Sequence, residues 1–124
     1  MANDMYRDRL IKRSYNFSLS VISLIRIIDS KEYIFQIITK QLVRSATSIG
    51  ANIVEAQGCS TRKDFTNFMY HSLKSSNETR YWLGLLRDSY PKNKDAVSII
   101  LKEAQELSKI LGSTIKSLKR KKIL

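Results

Sequence analysis

The stretch YIFQIITKQLVRSATSIGANIVEAQ, residues 33–57, decides the fold. Ile34, Ile38, Leu42, Ser45, Ile49, Ile53 and Ala56 recur along it at alternating intervals of four and three, which places them on one side of an α-helix. A half-buried strand would need alternation by two, and none is present. The run stops at Gln57-Gly58, where a glycine is able to close a helix in the left-handed conformation, so the spacing predicts a helix over Tyr33 to Gln57.

The same period extends in both directions. Upstream, Leu10, Phe17, Val21, Leu24 and Ile28, with Ser14 in the missing step, predict a helix from about Met5 to Ile28, and Asp29-Ser30-Lys31 supply the polar turn after it. Downstream, Thr61-Arg62-Lys63-Asp64 has the capping-box pattern of a helix start. Phe65, Phe68, Ser72, Ser75, Thr79, Trp82 and Leu86 then continue to Tyr90-Pro91, where proline disfavours helix in the residue before it. This third helix is predicted to be the longest. After a turn at Lys92-Asn93-Lys94-Asp95, a fourth stripe runs through Val97, Ile100, Ala104, Leu107, Leu111, Thr114 and Leu118.

Four amphipathic rods with short connections enclose one interior as an all-α, antiparallel, up-down-up-down four-helix bundle. The 124 residues are expected to form one domain, residues 1–124, with 43% hydrophobic residues for its core and only one Pro and four Gly for turns.

Charge narrows the function classes. There are 22 Lys plus Arg against 11 Asp plus Glu, a formal net charge of +11, which suits a polyanionic partner. Neither a flat amphipathic anchor nor an uncharged run of about 18 residues is visible, so a membrane is not the expected partner. Cys59 is the sole cysteine and the first residues are charged, which points to a reducing cytoplasm and away from disulfide-stapled secreted classes.

More than half of the positive excess lies in residues 91–124, where Lys102, Lys109 and Lys116 share a stripe and Lys119, Arg120, Lys121 and Lys122 crowd the end. Arg7, Arg9, Lys12 and Arg13 form a second cluster, and antiparallel topology brings both chain ends to one pole of the bundle. These groups, with Arg80 and Arg87 seven apart on the third helix, are the candidate nucleic-acid contacts. Such contacts would hold phosphate without reading sequence, and RNA is expected ahead of DNA.

A polar strip on the second helix, Gln41, Arg44, Ser48, Asn52 and Glu55, faces Ser72, Ser75, Glu78 and Thr79 on the third. Buried polar groups must be hydrogen-bonded, so the two strips are expected to form an inter-helix network that fixes register. Catalysis has little support. Bundle di-metal sites use paired Glu-x-x-His motifs, whereas His71 is the only histidine, and no phosphate loop or nucleophile elbow occurs. No metal, cofactor or enzymatic activity is expected.

The segment Gln41 to Ala56 also resembles the signature of bacterial four-helix-bundle proteins encoded in intervening sequences of 23S ribosomal RNA genes, and Phe65, Phe68, Ser75 and Glu78 fit its later positions. Ala56 and Lys74 stand where that family usually has glycine. The resemblance implies a ring-like homopentamer and makes the polar strip a structural signature. It also implies kinship with accessory proteins of diversity-generating retroelements, which bind nucleic acid and partner a reverse transcriptase. Two roles follow: a binder of structured RNA or RNA-DNA hybrid, or an adaptor for a reverse transcriptase or another nucleic-acid enzyme, its charge serving solubility.

Overall fold

A computed structural model describes residues 2–123, with side chains described over 5–120. Four helices follow one another: α1 (Ala2–Ile27), α2 (Tyr33–Ala56), α3 (Arg62–Ser89) and α4 (Lys94–Ile123), with a short 3-10 turn at Pro91–Asn93 before α4. Among the described residues there is no strand, and the architecture is the antiparallel all-α bundle that the periodicity predicts.

The helix ends follow local chemistry. Thr61 sits in an extended conformation and its hydroxyl accepts from the Asp64 amide at 3.1 Å, so the capping motif starts α3 as expected. Gly58 behaves otherwise than predicted: no glycine has a positive φ, and α2 ends by tightening. The Gly58 amide donates to the Glu55 carbonyl at 3.1 Å and the Cys59 amide to Ala56 at 3.2 Å, which satisfies the terminal carbonyls without a left-handed residue. Pro91 ends α3, yet α4 and not α3 is the longest helix, with 30 residues against 28.

One core cluster runs the length of the bundle, from Leu10, Phe17, Val21 and Leu24 through Leu42, Ile49 and Ile53 to Leu83, Leu86, Leu107 and Leu111. Three details differ from the sequence stripes. Phe35 enters the core while Ile34 is 55% exposed. On α3 the buried row is Met69, Ser72, Ser76, Thr79, Leu83 and Leu86, so Phe65, Phe68, Ser75 and Trp82 are only partly covered. On α4, Leu101, Ser108 and Ile115 are buried, whereas Ile100, Thr114 and Leu118 lie at the edge.

The reason is that α3 packs against both α2 and α4. Its seam is lined by small side chains, Ser72, Ser76 and Thr79, which let the backbones approach and leave the aromatic rings no space except at the rim. Each buried hydroxyl is satisfied. Ser72 Oγ donates to the Ile49 carbonyl at 2.8 Å, Thr79 and Ser45 are hydrogen-bonded at 3.0 Å, and Ser76 and Ser108 at 2.8 Å.

Helix α1 meets α2 through a comparable close approach. A Cβ on Gly50 would lie 3.0 Å from Ser14 Oγ, and that hydroxyl is held by the Ile11 carbonyl at 2.9 Å. Gly50→Ala is therefore expected to destabilise the protein by roughly 1 kcal/mol despite better helix propensity. In a Ser14→Ala background the same change should stabilise, and thermal melts of the four proteins in this cycle read the difference. A Gly50→Ala effect of one sign and size in both backgrounds would refute the contact.

Candidate nucleic-acid interface

The topology gathers cations at one pole from three pieces of chain. Tyr6 Oη and Thr114 Oγ1 are hydrogen-bonded at 2.9 Å, which fixes the start of α1 beside the end of α4. Arg62 Nη2 donates to the Leu118 carbonyl at 3.4 Å, which adds the start of α3. Around this pole Arg7, Arg9, Arg62, Lys63, Lys116, Lys119 and Arg120 are exposed, against Asp8, Glu55 and Asp64. Lys12 and Lys109 are exposed further along α1 and α4. The side chains of Lys121 and Lys122 lie outside the described residues.

At the opposite pole the two signs are interspersed: Arg26, Lys31, Arg87, Lys92 and Lys94 are accompanied by Asp29, Glu32, Asp88 and Asp95. The bundle is thus electrically lopsided along its axis. Salt screens exposed charges beyond about 10 Å, so it is local clustering and not the net charge that concentrates the field at the first pole.

Some of the expected cations are engaged elsewhere. Arg13 grips Glu103 with both ends of its fork, Nε to Oε2 at 2.7 Å and Nη2 to Oε1 at 2.8 Å, and this tie between α1 and α4 raises the guanidinium pKa above its ordinary value against the lowering effect of burial. Arg87 pairs with its neighbour Asp88 at 2.9 Å, and that hydrogen bond holds the Asp88 carboxyl below the usual range. Arg80 is exposed on α3, its Nη1 at 3.5 Å from Asn77 Oδ1. Arg80 and Arg87 therefore stand apart from the pole that carries the other cations. Arg62 and Lys63 join that pole instead, and the signal for them was the Thr61 cap combined with antiparallel connectivity.

The polar strip forms only in part. Arg44 reaches across from α2 to Glu78 on α3 at 3.0 Å, and Glu78 also accepts from the Trp82 indole at 2.9 Å. Ser48 and Asn52 instead bond backward within α2, to the carbonyls of Arg44 and Ser48, each at 2.8 Å. The Glu55 side chain is exposed, and the part of Ser75 that is used is its carbonyl, which accepts from Thr79 at 2.7 Å. The buried hydroxyl seam joins the helices as well, through Ser72 and Thr79, which belong to the strip, and Ser45, Ser76 and Ser108, which do not.

Among the described residues no group of three or more His, Cys, Asp or Glu is gathered as a metal site. His71 packs edge-on to Phe68 with ring centroids 6.4 Å apart. The Cys59 thiol is pushed up by loss of solvent, and Asp64 and Glu55 add to it, which opposes the thiolate a nucleophile needs. Among the described residues, no helix is long and apolar enough to cross a membrane.

Comparison with known proteins gives two positive findings. Residues 8–113 match the 23S rRNA-intervening sequence protein family. The fold superposes on a crystal structure, at 1.70 Å resolution, of a protein of unknown function from the S23 ribosomal protein family of Bacteroides thetaiotaomicron. The TM-score is 0.77 at 36% identity, covering 86% of this chain and 98% of that one. No curated protein is significantly similar.

Proposed function

The chain belongs to the 23S rRNA-intervening sequence protein family, and from that premise we propose that it is a non-enzymatic nucleic-acid-binding bundle that holds structured RNA or an RNA-DNA hybrid through phosphate. The observation that carries the reading is the pole of exposed Arg7, Arg9, Arg62, Lys63, Lys116, Lys119 and Arg120, contributed by α1, α3 and α4. Exposed cations neutralise phosphates and release their counterions, and nothing in the pole is arranged to read base edges, so binding is sequence-tolerant.

Self-assembly belongs to the same proposal. Leu19, Ile27 and Ile99 are 47%, 65% and 72% exposed beside a groove of about 590 Å³ between α1 and α4. Such a side supports association of copies into the ring-like homopentamer that the resemblance implies, and a ring would repeat the basic pole around one rim.

Salt titration tests the binding. With about five phosphates neutralised, affinity for a structured RNA is expected to fall several hundredfold between about 50 and 200 mM monovalent salt, with a log-log slope near −4 to −5. A flat salt dependence, or no RNA binding at the lowest salt, would remove the proposal. The adaptor role, in which the chain partners a reverse transcriptase and does not touch nucleic acid, would then stand in its place.

A further inference from the structure

Two hollows adjoin at the basic pole and differ in chemistry. The larger, about 470 Å³, is walled by Tyr6, Leu10, Phe65, Met69 and Leu118, with the hydroxyls of Ser113 and Ser117 at its α4 side. The smaller, about 200 Å³, is lined by Arg62, Lys63, Thr66, Asn67 and Lys119 on the other side of the same Leu118. The first is mainly apolar and aromatic, with Arg7 and Gln57 also in its lining, the second is cationic, and Leu118 lines both.

A nucleotide has the matching division, an apolar π-face joined to an anionic phosphate. The larger hollow falls within the ~300–1,000 Å³ typical of small-molecule sites, so it has room for one base. Its polar groups are the hydroxyls of Ser113, Thr114 and Ser117 and the Gln57 amide, which both donate and accept and so do not select among bases, with the Arg7 guanidinium at its edge. A duplex hides its π-faces in the stack, whereas a single strand offers them to aromatic side chains.

Resting on the nucleic-acid reading above, we propose that this pole is a single-strand site: one unstacked base enters the Tyr6–Phe65–Leu118 hollow while the adjoining phosphates lie against Arg62 and Lys119. The phosphate contacts supply most of the affinity, and the hollow supplies the preference for unpaired segments, whether loop, bulge or free end.

The test uses the full chain and a ten-nucleotide RNA, single-stranded or annealed as a blunt duplex, with a DNA strand of equal length as a further arm and fluorescence anisotropy as readout. The single strand is expected to bind roughly tenfold more tightly than the duplex, the worth of about one stacked base. Ser117 is exposed, so Ser117→Leu fills the mouth of the hollow without disturbing the core. That variant should remove the preference and leave duplex affinity unchanged, with circular dichroism confirming its fold. A strand carrying 2-aminopurine should change fluorescence on binding to the native chain and not to Ser117→Leu. Equal affinity for strand and duplex, unaltered by Ser117→Leu, would overturn the single-strand site while leaving phosphate binding intact. Failure of both forms to bind would overturn site and parent reading together.

Discussion

Reversing Arg62, Lys63, Lys116, Lys119 and Arg120 to glutamate is expected to weaken RNA binding at least about a thousandfold at ~50 mM salt, because each phosphate contact becomes a repulsion in addition to losing its released counterion. All five side chains are exposed, so the melting temperature should move little. The matched control reverses Arg26, Lys31, Lys40, Lys92 and Lys94, which are equally exposed and lie toward the other pole. It alters net charge by the same amount. Under a localised interface the control loses far less affinity than the first variant; equal losses would show that bulk charge, and not the assembled pole, attracts the RNA. Filter binding at several salt concentrations separates these outcomes, since only the first variant should also flatten the salt slope.

The first variant includes two residues that the charge count along the chain did not single out. Arg62 and Lys63 open α3, far in sequence from the lysine-rich end, and they reach it only because an antiparallel bundle places the start of α3 at the pole where α4 finishes. Topology was legible from the helical period and the turn residues, so their placement was too, once the bundle was drawn. Arg13 illustrates the reverse. Its cluster with Arg7, Arg9 and Lys12 looked uniform in sequence, yet its partner Glu103 is 90 positions away, and no local pattern shows that a guanidinium will meet a carboxylate on another helix. Such a half-exposed pair contributes ~0.5–1 kcal/mol to stability, small for the fold but enough to withdraw Arg13 from the phosphate surface.

The helix boundaries were readable where a residue type imposes its own geometry. Thr61 accepts from the amide of Asp64, and Pro91 cannot continue α3, so both ends stood where the sequence put them. Gly58 was not readable because a helix can satisfy its last carbonyls by tightening as well as by a left-handed glycine, and the side chain does not choose between them. On α3 the stripe holds at Ser72, Thr79 and Leu86 and is displaced by one position at Phe68, Ser75 and Trp82, where Met69, Ser76 and Leu83 are buried instead, for a related reason. A stripe of seven-residue spacings fixes a helix face only when one neighbour covers it, whereas α3 has neighbours on two sides, and small serines, not the large aromatics, occupy the place of closest approach.

That serine seam makes the strongest stability prediction. Ser72 is fully buried and its hydroxyl spans from α3 to the Ile49 carbonyl on α2. Ser72→Ala keeps the close approach and loses one hydrogen bond to a carbonyl already within its own helix, so it should cost about 1 kcal/mol. Ser72→Leu puts a carbon in place of the hydroxyl and must find volume for two further methyl groups between two backbones. Either α2 and α3 separate, weakening the neighbouring Thr79–Ser45 contact of 3.0 Å, or the leucine adopts a strained rotamer. The combined cost is expected to reach about 3–4 kcal/mol, a loss on the order of 10–20 °C in melting temperature for a chain of this size. Ala51→Leu, on the exposed side of α2, should be near neutral and controls for added hydrophobicity. Were Ser72→Leu to melt within a few degrees of Ser72→Ala, the seam would have slack, and close backbone approach would no longer explain why α3 buries hydroxyls where a bundle ordinarily buries leucine.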